Sequence, residues 1–154
     1  MQLNCIQSNI LAMNEKLKIG NQLCFPMYAC AKEIVRRYTP LLSSFGLTYT
    51  QYIAMMVLWE HKRVTVKQLG ERLFLDSGTL TPLLKKMESR GWICRARLDS
   101  DERVVVVSIT EKGEALQDLV ADVPDKMSQC VALDNGEAMQ LYTLLNKMMK
   151  TFNR

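Results

Sequence analysis

The sequence predicts a mainly α-helical fold with one small antiparallel β-wing, α+β overall, and three observations lead there. Apolar residues recur at helical spacing through most of the 154 residues. Two β-branched or alternating runs, Ile93 to Leu98 and Arg103 to Ile109, flank the polar tip Asp99-Ser100-Asp101-Glu102, which is a hairpin signal. Just before that hairpin stand two short helices, Val66 to Phe74 and one running to Arg90, joined at Leu75-Asp76-Ser77-Gly78. Helix, turn, helix and ribbon is the layout of a winged helix-turn-helix, whose second helix enters the DNA major groove while the ribbon reaches beside it.

Composition bounds the rest. A chain of this length is most economically one domain. Its hydrophobic fraction of 48% and charged fraction of 23% lie near globular averages, which argues against a disordered chain. No apolar run approaches the roughly 20 residues of a spanning helix, and Met1 to Gly20 lacks the pattern of a secretion signal. A cytoplasmic location is therefore expected, with no membrane partner. The net charge of +4 permits nucleic-acid binding without demanding it. Local charge says more: from Asp76 to Leu98 five basic residues (Lys85, Lys86, Arg90, Arg95, Arg97) face two acidic ones. Such a patch is the footprint of phosphate contacts, although a solvated face looks similar. Five cysteines (Cys5, Cys24, Cys30, Cys94, Cys130) in a cytosolic chain argue against a disulfide framework. With a single histidine, His61, and no Cys-x-x-Cys, neither a zinc site nor any other metal or cofactor is expected.

In chain order, residues 1–20 read as an N-terminal extension and 21–154 as one domain, with the winged unit at 64–110. Leu23, Met27, Ala31, Ile34, Tyr38, Leu41 and Phe45 make a long amphipathic helix ending near Gly46. Pro26, tolerated only in a first turn, places its start close to Cys24. Thr48 or Thr50 caps a second helix with Tyr52, Ile53, Met56, Val57 and Trp59 on its apolar stripe. Val66, Leu69, Leu73 and Phe74 pack the first helix of the reading unit inward. Asp76 or Ser77 caps the next, where Leu80, Leu83, Leu84 and Met87 turn inward and Thr79, Thr81, Lys85, Lys86 and Ser89 outward. Pro82, near that helix's start, offers an apolar surface for a thymine methyl. Cys94 alternates with Ala96 and Leu98 and reads as a core residue. Thr110 caps a helix from Glu111, interrupted by Pro124 and resuming through Met127 and Val131. Asp134 and Glu137 form a capping box for a last helix whose wide stripe (Leu141, Leu144, Leu145, Met148, Met149, Phe152) needs a cover. A second subunit is the simplest one, which makes 21–45 and 111–152 dimerisation helices.

Three segments together resemble the MarR family of winged-helix repressors, and within it the OhrR branch of organic-hydroperoxide sensors. They are Asn21-Gln22-Leu23-Cys24-Phe25 with Tyr28; Leu47-Thr48-Tyr49-Thr50-Gln51-Tyr52 leading to Leu58-Trp59-Glu60; and Leu75-Asp76-Ser77-Gly78-Thr79-Leu80-Thr81-Pro82-Leu83-Leu84-Lys85 with the wing Asp101-Glu102-Arg103-Val104. The likeness covers roughly residues 20–150. It implies a homodimer that binds a palindromic operator in double-stranded DNA, represses a peroxide-detoxifying gene and catalyses nothing itself. Cys24 falls at the family's sensor position, where an organic hydroperoxide oxidises a thiolate to sulfenic acid. Tyr38 and Tyr49 fall on the tyrosines that hold it. Cys130 falls where one subtype keeps a resolving cysteine supplied by the other subunit, which implies a Cys24 to Cys130 intersubunit disulfide. Pro26 departs from the family pattern, which has an ordinary apolar residue there.

The residues carry part of this independently. Cys24 stands at a helix start, where exposed amides and the macrodipole favour an anion, although an inert core cysteine is the commoner fate of a cytosolic thiol. Cys24 and Tyr38 share nearly one helix face about 21 Å apart, so they can meet only across a dimer. For DNA, the resemblance assigns base or backbone contacts to Ser77, Thr79, Thr81, Pro82, Lys85 and Lys86, and the basic patch adds Arg95 and Arg97. Arg103, steadied by Asp101, suits a minor groove of high negative potential, and a plain surface ion pair is its other reading. Two alternatives to peroxide sensing stand: a repressor released by a small aromatic ligand and, more distantly, a thiol peroxidase using Cys24.

Overall fold

The computed structural model describes residues 14–152; Cys5 and most of the expected 1–20 extension lie outside them. By its contacts the chain divides into two units, Met1–Tyr38 and Thr39–Arg154. The first carries a 3-10 turn at Ile19–Asn21 and most of helix α1 (Cys24–Ser43). As Pro26 requires, α1 begins at Cys24. A second proline, Pro40, sits in its last turn and removes the helical bond to the carbonyl of Arg36. The chain then turns at Gly46, whose φ of +71° glycine tolerates better than other residues.

The second unit holds the core. Thr48 caps α2 (Tyr49–His61) in a reciprocal box with Gln51. The expected stripe of α2 is rotated: Met56 is exposed, and Ala54, Met55 and Leu58 are fully buried beside Tyr52. The helix is apolar nearly all round, so periodicity could not choose its inner face. Strand β1 (Arg63–Thr65) was not expected from sequence; three residues are too short to show an alternation. It pairs with β3 (Asp101–Ile109), which pairs with β2 (Ile93–Leu98), giving an antiparallel sheet of order β1-β3-β2. The wing turn is tighter than expected, with β3 starting at Asp101 and a register irregularity between Arg97 and Leu98.

Between strands lie α3 (Val66–Leu73), capped by Thr65 and Gln68, and α4 (Ser77–Ser89). Phe74 corrects the sequence reading: it is not an inward-packing helical residue but a left-handed C-cap (φ 55°), half of its surface exposed. Leu69, Leu80, Leu84, Met87, Trp92, Ile93 and Val107 fill the interior between α3, α4 and the sheet. Cys94 is also corrected, because it is exposed on β2 while its neighbour Ile93 is buried. The strand's inward parity falls on Ile93, not on Cys94.

Thr110 caps α5 (Glu111–Leu119), and its hydroxyl also donates to the carbonyl of Gly91 at 2.7 Å. Gly113 then meets the wing base so closely that a Cβ would lie 2.1 Å from the Trp92 carbonyl oxygen. Its own carbonyl accepts from Trp59 Nε1 at 2.8 Å, which ties α2, α5 and the sheet together. The helix break precedes Pro124, at residues 120–122, and α6 (Val123–Ser128) stops short of Val131. A proline fits a first turn, so it begins α6 and does not interrupt it. Asp134 and Glu137 form the expected capping box of α7 (Asn135–Met149), followed by a 3-10 turn at Lys150–Phe152. On α7, Met139, Leu141, Tyr142, Leu144, Leu145 and Met149 are all exposed.

Candidate nucleic-acid interface and cysteine site

Helix α4 is presented by its own cap. Asp76 accepts the Thr79 amide N–H at 2.9 Å and its hydroxyl at 3.1 Å. Those bonds, the backbone one foremost, hold the Asp76 carboxyl below its ordinary range. With Leu80, Leu84 and Met87 buried, Ser77, Thr79, Thr81, Pro82, Lys85 and Lys86 are all exposed on the same helix. Thr81 Oγ1 donates to the Ser77 carbonyl at 2.8 Å, which fixes its rotamer. Pro82 is the sixth residue of α4, a turn deeper than expected, and costs the helix its bond to the Gly78 carbonyl. Leu80 and Leu84 pack the helix on either side of that gap.

On the wing, the Arg103 side chain is 92% exposed, yet oriented. Its amide and Nε donate to Asp101 Oδ1 at 3.0 and 3.1 Å, and Nη2 reaches Oδ2 at 3.4 Å. The Arg103 guanidinium holds the Asp101 carboxyl low. Asp101 thus aims a cation outward from the ribbon tip. Arg97 donates from Nη1 to the Glu102 carbonyl at 2.9 Å, which stiffens the same tip. Arg95 is placed differently from the other basic candidates: its guanidinium is taken by Glu88. Sequence reading passed over Glu88. The available signal was an acid in the last turn of a helix, where the macrodipole disfavours one unless it has a partner elsewhere.

Cys24 is the first residue of α1, and its thiol is free and exposed. Tyr38 stands on the same helix fourteen residues on, about 21 Å along the axis, so the two do not meet within one chain. Tyr49 is the first residue of α2, half-buried like Tyr38. Cys130 follows α6, exposed, its thiol donating to the Lys126 carbonyl at 3.4 Å. Cys30 is also a free, exposed thiol. Among the described residues no cluster of histidine, cysteine and carboxylates could hold a metal, and no helix is long and apolar enough to cross a membrane.

A family model described as transcriptional regulator SarA/Rot matches residues 36–119. The organic hydroperoxide resistance transcriptional regulator of Bacillus subtilis is 42% identical over 140 residues, covering 91% of this chain and 95% of the relative. The chain belongs to the OhrR branch of the MarR family. It is a transcriptional regulator of winged-helix fold and not an enzyme. The HTH-type regulator SarZ of Staphylococcus epidermidis is 40% identical, over 91% of this chain and 95% of its own. Among solved structures, reduced AbfR bound to DNA matches with a TM-score of 0.77 at 33% identity, covering 90% of this chain and 94% of that one. A disulfide-formed AbfR matches at 0.64 and 33%, covering 96% and 99%. AbfR is a protein of Staphylococcus epidermidis. For a MarR-family chain, the exposed face of α4 and the arginine tip of the wing are therefore the natural candidates for the surface that meets DNA.

Proposed function

We propose that this regulator is a cytoplasmic, homodimeric repressor that binds a palindromic operator and releases it when Cys24 is oxidised by an organic hydroperoxide. The observation that carries the reading is the pairing, on one chain, of an exposed Cys24 at the head of a twenty-residue helix with a built winged reading head. The thiolate attacks the distal peroxide oxygen, the O–O bond breaks, and the alkoxide leaves with a proton as the alcohol. Sulfur keeps the hydroxyl as sulfenic acid. The partner subunit's Cys130 thiol then attacks that sulfur, expelling water and forming a disulfide. Tyr38 and Tyr49 hold the Cys24 sulfur, and Tyr38 does so across the dimer, since its axial separation of about 21 Å from Cys24 forbids contact within one subunit. The exposed apolar faces of α1 and α7 support a dimer, and the disulfide form of a relative supports the resolving step.

On DNA, Ser77, Thr79, Thr81, Pro82, Lys85 and Lys86 meet the major groove and its phosphates, Arg97 the backbone, and Arg103, aimed by Asp101, the minor groove. The test of the redox route is a non-reducing gel after cumene hydroperoxide. The wild type should run as a covalent dimer, and Cys130→Ser should remain monomeric. No covalent dimer in the wild type, or an undiminished one in the variant, removes Cys130 from the mechanism. One feature favours release by a small aromatic ligand: a groove of about 920 Å³ lined by Val66, Gly70, Phe74, Leu75, Leu80 and Phe152. That reading requires release without oxidation.

A further inference from the structure

Glu88 accepts three hydrogen bonds, all from Arg95. The Arg95 amide donates to Oε1 at 3.2 Å, and Nε and Nη2 donate to Oε2 at 3.1 and 2.6 Å. Their side chains are partly shielded, 24% exposed for Arg95 and 38% for Glu88, unlike the open pair at the wing tip. The register explains the shielding. Arg95 pairs with Val107, which pairs on its other side with Val64, and both valines are buried. Residues in one such row share a face of the sheet, so Arg95 is turned toward the core side, and its charge there needs a partner.

Glu88 lies at the C-terminal end of α4 and Arg95 near the start of β2, so the contact spans the junction between reading helix and wing. A backbone N–H takes part, so the contact fixes the strand itself and not only a side chain. An arginine committed in this way has its Nε and one terminal nitrogen occupied, and is poorly placed to be a phosphate ligand.

We propose that Glu88 and Arg95 form a brace that sets the position of the wing against α4, making both of them positioning residues for operator binding. The proposal rests on the operator-binding reading above. Arg103 at the tip reaches a groove beside the one α4 enters only if the ribbon leaves the helix at a fixed angle, and the brace is a side-chain contact between the two at its root. Losing it lets the tip wander, which lowers affinity without removing a phosphate contact.

The probe is the duplex that the wild-type protein selects from a randomised pool, and the variants are Glu88→Ala, Arg95→Ala, the double variant and the isosteric Glu88→Gln. Each alanine variant should bind about ten-fold more weakly, the order expected for charge-assisted hydrogen bonds. The double variant should bind no more weakly than either single one. The slope of log affinity against log salt should stay at the wild-type value in all of them. Glu88→Gln, which keeps the packing, should show a smaller loss of the same kind. An Arg95→Ala slope lower by about one, with Glu88→Ala unaffected, makes Arg95 a phosphate ligand and overturns the brace. Undiminished affinity in every variant overturns it as well. A wild type that selects no duplex at all overturns instead the operator reading on which the brace depends.

Discussion

Replacing Cys24 with serine is expected to leave operator binding at wild-type strength and to abolish its loss on exposure to an organic hydroperoxide. The side chain is exposed at the first position of α1, so exchanging sulfur for oxygen should change stability by no more than about 0.5 kcal/mol. What is lost is the nucleophile, because a hydroxyl does not attack a peroxide bond at neutral pH as a thiolate does. Fluorescence anisotropy of a labelled operator, with and without cumene hydroperoxide, separates the two forms. A Cys24→Ser protein that still lets go of DNA after peroxide would move sensing to another thiol, and one released by an aromatic carboxylate alone would favour the groove beside Phe74.

Arg103→Ala should weaken operator binding by roughly ten-fold or more per wing, the range of a groove-reading arginine. The size of the loss follows from the geometry. Asp101 holds the guanidinium by two side-chain bonds while also accepting the Arg103 amide, so little rotamer freedom is left to lose when DNA arrives. The same exposure makes the residue dispensable to folding: with 92% of its side chain in solvent, its truncation should leave the dimer and the thermal midpoint unchanged. Wild-type affinity in Arg103→Ala would make the Asp101 pair a surface ion pair of no consequence. The variant thus differs in kind from the Glu88 and Arg95 changes, which should weaken binding through the ribbon's root.

Much of this was legible in the residues. Of the caps expected at Thr48 or Thr50 and at Asp76 or Ser77 the first of each is used, and Asp134 with Glu137 makes the expected box, because a cap is a local bargain between neighbours in sequence. Pro26 located the head of α1 for the same reason. The misreadings occur where tertiary contacts decide. The inner face of α2 is chosen by what surrounds an almost wholly apolar helix, so Met55 and Leu58 are buried where Met56 was expected. Strand β1 exists because β3 has an edge to offer it, and Phe74 leaves the helix because the chain must turn there in a left-handed conformation. Cys94 points outward by strand parity, which a one-residue error in register inverts. Of the site, the reading face of α4 and the Asp101 to Arg103 tip were legible as exposed polar strings. The bond between Glu88 and Arg95 was not: an acid in a helix's last turn signals that it has a partner, but nothing in a seven-residue separation across a turn names Arg95 as that partner.

The most direct test of redox-gated repression is a titration of the operator-bound, reduced wild-type protein with cumene hydroperoxide, followed by anisotropy and then by addition of dithiothreitol. Release should be complete at about one equivalent of peroxide per subunit, with binding restored by the thiol. Operator binding that survives excess peroxide, or release that requires many turnovers of peroxide per subunit, would contradict it.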